Sequence, residues 1–319
     1  VNAICSTDRP WCELAAQEFT RATGIKVNQS HKPTGEAQAQ LRAEAANPKT
    51  DLWWGGTGDP YYQAAEVGLL DPYRPAYIND LHGWAVRQYA MSQNHVGGFY
   101  TSAIGFGYNE EVLKRKNLPP PKCWKDLLDP RYKGEIETSH PASSGTGFFD
   151  VTAWLTLWGD DNGKGGGWKY MDALHENIAQ YTHSGSKPCN MAAAGEYVIG
   201  ISFEYRANAN KAKGAPIDLV FPKEGLGWEM EATSIIKGTK NLDAAKKLAD
   251  WSASRKANEL YGKYYAIVAD PEIKSMPKNY PADGEKLMAK VDVDWMAKNR
   301  DRILAEWTKR YDGKSEPKS

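Results

Sequence analysis

The sequence predicts an α/β fold built on a mainly parallel sheet. Three times near its beginning, a short apolar segment is followed by a polar turn and then by a segment with helical periodicity. Strand, loop and helix units in succession favour a parallel sheet, because each helix carries the chain back to the end at which the strand began. The clearest unit is residues 51–73, DLWWGGTGDPYYQAAEVGLLDPY, in which two tryptophans precede a Gly-Gly-Thr-Gly break and a helix.

The first part of the chain repeats this order. The predicted strands are residues 1–4, 25–28 and 52–54, and the predicted helices are residues 11–23, 36–46 and 59–68. In the first helix, Leu14, Phe19 and Ala22 recur at helical spacing, and Gly24 then ends it. The length of 319 residues suits two domains or one large one.

The rest of the chain continues the alternation. Strands are predicted at residues 99–108, 135–139, 180–183, 198–203 and 217–221. Helices are predicted at residues 109–116, 148–158, 168–178, 189–196 and from 242 onward. Glycine and aspartate dominate residues 159–167, which predicts a surface loop between two helices.

The composition argues against several functions. Lys and Arg together number 40, as do Asp and Glu, so no basic surplus points to nucleic acid as a partner. No run approaches the ~18 apolar residues of a membrane-spanning helix. The chain carries no signal peptide and begins in a predicted strand. We therefore expect a mature exported protein whose leader has been removed, although a trimmed chain would look the same.

Four cysteines occur, at positions 5, 12, 123 and 189. A bridge between Cys5 and Cys12 would close a loop of about eight residues and stabilise the fold by about 2.5 kcal/mol on the chain-entropy estimate. Free buried thiols are the alternative for this pair, and Cys123 and Cys189 could pair or stay free. The spacing fits no common zinc pattern, and we expect neither a metal site nor a cofactor.

Short turns of Gly, Ser and Thr open several of the predicted helices. Helix N-termini present unpaired N–H groups and a partial positive charge, so such turns at the carboxyl ends of parallel strands can hold an anion. The same residue types are also ordinary helix caps, which is the simpler reading of any single turn. The four turns are Thr34-Gly35-Glu36, Gly55-Gly56-Thr57, Ser143-Ser144-Gly145-Thr146 and Ser184-Gly185-Ser186.

Catalytic motifs are scarce. The sequence contains no P-loop, G-x-G-x-x-G, H-E-x-x-H or G-x-S-x-G. Ser184 and Lys187 match the S-x-x-K pattern of serine hydrolases, but no S-D-N or K-T-G accompanies them. We therefore expect a protein that is not an enzyme, with a hydrolase based on Ser184 and Lys187 as the alternative of another class. His140 and His183 lie beside two of the turns and could contact a ligand, although surface or supporting roles are the simpler interpretation.

Taken together, these segments resemble the substrate-binding proteins of ABC importers, in the group that contains the ferric-ion, hexose-phosphate and 2-aminoethylphosphonate binding proteins. The resemblance covers most of the chain and rests on four segments in addition to residues 50–73. They are CSTDRPWC with the following GIKV, IGFGYNEEVLKRKNLPPPKCWKDLLDPRYKGEI, GEYVIGISFEYRANANKAKGAPIDLVFPKEG and AAKKLADWSASRKANELYGKYYAIV.

The resemblance implies a two-lobed, type II periplasmic binding protein, each lobe a mainly parallel sheet flanked by helices, with a ligand cleft between the lobes. Lobe 1 would comprise residues 1–104 and 226–319, and lobe 2 residues 105–225, with hinge strands near 101–107 and 223–231. The protein would be a periplasmic monomer. It would close around a small anionic organic solute and deliver it to an ABC permease in the inner membrane.

The resemblance also separates the branches of the group. The ferric-ion binders place adjacent tyrosines where this chain has Phe203-Glu204-Tyr205, and an acidic residue where it has Thr57. Iron(III) prefers several anionic oxygen ligands, so ferric ion is the alternative and not the first choice. The turn at Ser144 corresponds to the one that binds a phosphate-type oxyanion in this group.

The predicted ligand is therefore a sugar phosphate or 2-aminoethylphosphonate. Carboxylates at positions 204, 229 and 231 would receive its hydroxyl or ammonium groups. The predicted binding residues are Ser6, Thr7, Thr34, Gly35, Gly56, Thr57, Ser143, Ser144, Gly145, Thr146, Ser184, Glu204, Tyr205 and Glu229.

Overall fold

The computed structural model describes residues 1–263, 267–274, 279, 281 and 284–318. Within these ranges it describes seven residues by their backbone alone: Trp84, Phe99, Ser102, Glu229, Ile267, Gly284 and Glu285. The chain divides into two compact units. Unit 1 comprises Val1–Thr101 with Met230–Pro277, and unit 2 comprises Ser102–Glu229 with Lys278–Ser319.

Strands and helices alternate along most of the chain, as the sequence predicts. The strands are β1 (Asn2–Cys5), β2 (Asn28–His31), β3 (Leu52–Thr57), β4 (Leu70–Asp71), β5 (Gly97–Asn109), β6 (Ile136–Ser139), β7 (Ile178–Thr182), β8 (Ile199–Phe203), β9 (Ile217–Val220), β10 (Trp228–Ile236) and β11 (Ile267–Val268). The helices are α1 (Arg9–Thr23), α2 (Thr34–Glu44), α3 (Asp59–Glu66), α4 (Gly83–Met91), α5 (Glu110–Arg115), α6 (Gly145–Trp158), α7 (Gly166–Asn177), α8 (Lys187–Ala194), α9 (Glu204–Ala212), α10 (Leu242–Ala253), α11 (Arg255–Tyr261) and α12 (Val293–Tyr311).

The sheet of unit 1 has β2, β1 and β3 side by side and parallel, with β10 antiparallel to β3. The carboxyl ends of the three parallel strands therefore share one edge, from which α1, α2 and α3 begin. Beneath this edge, the ring of Trp53 stacks on Tyr61 with centroids 3.7 Å apart. Both side chains are fully buried, so they fix the first helix turn after β3 against the strand itself.

Strand β3 is longer than the sequence predicts. The prediction ends the strand at residue 54, but β3 continues through Gly55 and Gly56 to Thr57. Both glycines have positive φ angles, 72° and 88°, which other residues rarely adopt. The strand nevertheless keeps its pairing with β10, through a register shift between Glu231 and Thr233.

The sheet of unit 2 has the order β5-β8-β6-β7, with β6 parallel to both of its neighbours. Strands β6, β7 and β8 lead through turns into α6, α8 and α9, so these turns also share one edge. The core of the unit contains large aromatic side chains, among them Trp124, Trp154 and Trp168. At the end of the sheet opposite the turns, Ile136 is the first residue of β6 and pairs with both β7 and β8.

The carboxyl-terminal helix belongs to unit 2. The sequence analysis assigns residues 226–319 to lobe 1, whereas in the structure the last helix forms one compact unit with residues 102–229. The reason is packing, because Met296, Ile303, Trp307 and Tyr311 of α12 are buried in the core of unit 2. None of the described helices is both long enough and apolar enough to span a bilayer.

The structure resolves the alternatives for the cysteines. Cys5 and Cys12 form a disulfide, which joins the end of β1 to the first turn of α1. Cys123 and Cys189 are both free and buried. The disulfide therefore encloses residues 6–11, including the Ser6 and Thr7 of the predicted site.

Candidate functional site

Two helix N-termini meet at the carboxyl edge of the unit 2 sheet. Strands β6 and β7 are adjacent and parallel, with Ser139 paired to Thr182, so the turns that follow them are neighbours. The first turn leads to Ser144, the N-cap of α6, whose hydroxyl oxygen accepts a hydrogen bond from the amide of Gly147 at 3.4 Å. The second turn leads through Gly185 into α8.

The two turns approach each other closely at Gly185. A Cβ atom at position 185 would collide with the side chain of Thr146, lying 2.8 Å from its Cβ, and would lie 3.0 Å from the Oγ of Ser144. Only glycine leaves room for both hydroxyl side chains here. The carbonyl of Gly185 is held by β8, because it accepts a hydrogen bond from the Ser202 hydroxyl at 2.6 Å.

The hydrogen-bond donors at this point are largely uncommitted. The amides of Gly145 and Thr146 lie in the first turn of α6, where an N–H has no acceptor within its own helix. Within the described part of the chain, no acceptor is recorded for these two amides or for those of Gly185 and Ser186. Two helix N-termini and the hydroxyls of Ser144 and Thr146 therefore surround one small region, an arrangement that stabilises negative charge.

Ser143 differs from its neighbours because its hydroxyl hydrogen is directed into the protein. Its Oγ lies 2.8 Å from Nδ1 of His183, and the Nε2 of that ring lies 3.0 Å from the carbonyl oxygen of Glu316. A carbonyl can only accept, so the neutral imidazole carries its hydrogen on Nε2, and Nδ1 accepts from Ser143. The sequence analysis includes Ser143 among the predicted binding residues, and this hydrogen bond would have to break before its hydroxyl could donate to a ligand.

His140 is held in a similar way. The amide of Ala142 donates to its Nδ1 at 3.1 Å, so Nε2 carries the hydrogen and donates to Asp312 at 3.0 Å. Burial lowers the pKa of His140, although the hydrogen bond to Asp312 opposes this. His140 and His183 thus use both ring nitrogens within unit 2, in line with the supporting role that the sequence analysis gives them as the simpler interpretation.

The Ser184 and Lys187 pair is not arranged as a nucleophile and its base. The Lys187 ammonium donates to the carboxylate of Glu316. The Ser184 hydroxyl lies 3.3 Å from that of Ser186, and the Ser184 carbonyl accepts from Thr182 at 2.8 Å. A serine hydrolase requires a base in contact with the serine oxygen, and these contacts place Lys187 elsewhere.

The predicted residues of unit 1 also converge. A Cβ at Gly56 would lie 2.7 Å from the Cβ of Ser6 and 2.7 Å from the Oγ1 of Thr34, the first residue of α2. A Cβ at Gly55 would lie 3.0 Å from the Cγ2 of Thr7. The last residues of β3 therefore contact the turns after β1 and β2, and Gly35 is the second residue of α2.

The amide at the centre of the unit 1 cluster is already occupied. The N–H of Gly56 donates to the carboxylate of Glu231, a side chain that is 3% exposed. Burial raises the pKa of Glu231 to about 7, and the hydrogen bonds from Gly56 and Tyr100 limit the rise. A solute anion would have to displace a buried carboxylate here, which argues against the anion-binding role predicted for Gly56.

The remaining predicted residues have mixed outcomes. The side chain of Glu204 is buried, and one of its oxygens accepts from the amide of Ala103 at 2.7 Å, which ties α9 to β5. The ring of Tyr205 is half-buried and stacks on Phe203. The side chain of Glu229 lies outside what the structure describes. Among the described residues, no group of three or more His, Cys, Asp and Glu is placed to hold a metal ion.

Comparison with known proteins identifies the family. The family of bacterial extracellular solute-binding proteins matches residues 15–288 of the chain. The chain belongs to this family. Its members are the solute-binding components of ABC importers and not enzymes, so a small solute and an ABC permease are the expected partners of this chain.

Individual relatives agree with this assignment. A protein of Haemophilus influenzae is 38% identical over 80% of this chain and 73% of its own length. The structure of the periplasmic binding protein AfuA of Actinobacillus pleuropneumoniae, with fructose 6-phosphate bound, is 33% identical, covers 98% of each chain and has a TM-score of 0.89. A Salmonella typhimurium protein named for binding 2-aminoethylphosphonate is 23% identical over 81% of this chain and 73% of its own length. The predicted type II periplasmic-binding-protein fold is thereby confirmed.

Proposed function

We propose that this protein captures a small phosphorylated or phosphonate solute outside the cytoplasm and delivers it to an ABC importer. The observation that carries the proposal is the close approach of Gly185 to Ser144 and Thr146, which brings two helix N-termini together. A phosphoryl group offers three oxygens, enough to accept from the amides and hydroxyls gathered there. The fructose 6-phosphate bound to AfuA supports the same ligand class.

The energetics of such a site are adequate for transport. A hydrogen bond to an ionised oxygen contributes about 1.5–3 kcal/mol. Four or five of them outweigh the costs of binding sufficiently to reach micromolar affinity, which corresponds to about −8 kcal/mol. The Lys187 ammonium at the start of α8 is paired with Glu316, so the amides and hydroxyls of the two turns would carry most of the binding.

The unit 1 cluster has a different hydrogen-bonding character. It combines the Glu231 carboxylate with the hydroxyls of Ser6, Thr34 and Thr57. The Thr57 hydroxyl is buried and, within the described residues, has no hydrogen-bond partner. A carboxylate and hydroxyls accept hydrogen bonds from hydroxyl or ammonium groups, so the unit 1 cluster by itself favours such donors over an anion.

A ligand screen by thermal shift and calorimetry tests the proposal. It compares glucose 6-phosphate, fructose 6-phosphate, 2-aminoethylphosphonate and inorganic phosphate with the parent sugars, polyamines and ferric salts. A true ligand at ~100 times its dissociation constant stabilises the protein by about 2.7 kcal/mol. We expect this only with phosphorylated or phosphonate compounds.

Two results would contradict the proposal. Stabilisation by parent sugars or polyamines alone would show that the site binds a neutral or cationic solute. Stabilisation by ferric salts with a visible charge-transfer band would favour the ferric-ion alternative. The lobe closure predicted from the family resemblance is part of the same proposal, and small-angle scattering with and without the stabilising compound tests it.

A further inference from the structure

We propose that residues 312–316 form a clamp that positions the two turns of the anion site, with Glu316 as its main positioning residue. This inference rests on the proposed function, because it concerns the same turns. It assigns a role to a segment that is distant in sequence from both turns and that contributes no group to the anion itself.

Glu316 makes the central contacts of this clamp. One carboxylate oxygen accepts from the amide of His183 at 2.6 Å, and the other accepts from the Lys187 ammonium. The backbone carbonyl of Glu316 accepts from Nε2 of His183, as described above. One residue thus binds the residue before Ser184 twice and the first residue of α8 once, so it fixes both ends of the Ser184-Gly185-Ser186 turn.

The rest of the segment holds the neighbouring turn and the sheet edge. Asp312 accepts from His140, which begins the turn that leads to α6. Ser315 lies in a parallel bridge with Tyr181, and the amide of Glu316 donates to the Tyr181 carbonyl at 2.9 Å. The Lys314 ammonium donates to the carbonyl of Ile178 at 2.9 Å. Residues 312–316 therefore run along β7, the edge strand of the sheet. They contact both turns near the carboxyl end of β7.

The carboxylate of Glu316 also sets the charge of the site. Burial opposes its ionisation, but the Lys187 ammonium and the His183 amide outweigh burial and lower the pKa of Glu316. An ionised Glu316 neutralises Lys187, the first residue of α8. The anion site would then depend on the position of its amides and hydroxyls and much less on a net positive charge, which makes the position of the turns decisive for affinity.

Two variants of Glu316 separate geometry from charge. Glu316→Ala removes the acceptors for both His183 and Lys187. Glu316→Gln keeps an oxygen for the His183 amide but leaves the Lys187 charge unpaired. The matched control is Glu135→Ala, which breaks the ion pair of Glu135 with Lys116. Glu135 directly precedes β6, at the end of that strand opposite the turn that leads to α6.

The expected effects on fructose 6-phosphate binding differ among the three variants. Glu316→Ala should weaken binding by about tenfold, the equivalent of ~1.4 kcal/mol. Glu316→Gln should recover most of this loss and make the affinity fall more steeply with salt, because the Lys187 charge is now free to attract the ligand. Glu135→Ala should bind as the wild type does. Equal affinities of Glu316→Ala and wild type would overturn the proposal.

Hydrogen exchange decides the inference even if fructose 6-phosphate does not bind. In the ligand-free protein, Glu316→Ala should speed amide exchange in residues 140–147 and 183–190, whereas Glu135→Ala should not. Unchanged exchange in both turns would refute the clamp. Faster exchange together with no binding of any phosphorylated compound to the wild type would support the clamp and reject the proposed function.

Discussion

The turn clusters of units 1 and 2 share one sequence pattern and differ in their electrostatics. In both, Gly, Ser and Thr follow parallel strands and open helices. In unit 2 the amides of Gly145 and Thr146 have no acceptor among the described residues, and the Lys187 ammonium is neutralised by Glu316. In unit 1 the amide of Gly56 is taken by the buried carboxylate of Glu231. A side chain from a distant strand thus decides whether such a turn favours an anion or a hydrogen-bond donor.

The largest expected effect comes from adding a charge to the unit 2 cluster. Ser144→Asp places a carboxylate among the donors proposed for the phosphoryl group, so binding of a phosphorylated compound should weaken by at least ~1,000-fold, or about 4 kcal/mol. Aspartate remains a good N-cap, so the helix should keep its stability. Calorimetry measures the affinity, and circular dichroism with thermal unfolding checks the fold.

Ser144→Asn is the matched control for this change. Asparagine has the same shape as aspartate and caps a helix equally well, but it carries no charge. Its affinity should lie within about tenfold of the wild type. An equal loss in both variants would show that shape and not charge is responsible, and would remove the contrast between the two clusters.

The buried carboxylate of unit 1 predicts a pH effect on stability. The pKa of Glu231 is about 7 in the folded protein, against an ordinary value of 4.5. The folded state therefore holds the proton more tightly, and its stability falls as the pH rises from 4.5 through 7. The full cost above pH 7 is on the order of 3 kcal/mol.

Glu231→Gln tests this by removing the charge while keeping an oxygen for Gly56. Relative to the wild type, the variant should gain about 3 kcal/mol of unfolding free energy at pH 8 and nothing comparable at pH 4. Glu137→Gln is a matched change in unit 2, because burial also raises the pKa of Glu137 to about 7. Urea titrations at the two pH values give both differences. A pH-independent effect of Glu231→Gln would mean that the pKa of Glu231 is the same in the folded and the unfolded protein, which contradicts the prediction.

Much of the fold follows from the sequence, because strands and helices leave local patterns of apolar and turn residues. The three β-turn-α units of unit 1 and the parallel strands of unit 2 are signalled by apolar runs, glycines and helical periodicity. Three of the four turns identified in the sequence follow parallel strands, whereas Gly55-Gly56-Thr57 forms the last residues of β3 itself. The identification of the ABC-importer family is also correct, although it came from resemblance and not from periodicity.

The contacts that give each turn its character could not be derived in this way. Glu231 reaches Gly56 across 175 positions, and Asp312 reaches His140 across 172. Such pairs depend on sheet order and register, which local patterns do not specify. By contrast, α12 carried a usable signal, since Met296, Ile303 and Trp307 recur at helical spacing and are buried in unit 2.

The disulfide offers a further test of the unit 1 cluster. Changing Cys5 and Cys12 together to serine opens the loop that contains Ser6 and Thr7, and should lower the unfolding free energy by about 2.5 kcal/mol. Denaturant titration measures this, and adding dithiothreitol to the wild type should reproduce it. The double variant itself should not respond to dithiothreitol. A response of the same size there would place the effect elsewhere in the protein.

The smallest effect is expected at Ser143, and it tests which hydroxyls of unit 2 contact the ligand. The hydroxyl hydrogen of Ser143 goes to His183, whereas no acceptor within the described residues is recorded for that of Thr146. Ser143→Ala should therefore change the affinity for a phosphorylated compound by less than about threefold, and Thr146→Val by about tenfold. Calorimetry on both variants compares the two hydroxyls under equal conditions. If Ser143→Ala were the more damaging, the Ser143 hydroxyl would contact the ligand directly, and the hydrogen bond to His183 would have to break when the ligand binds.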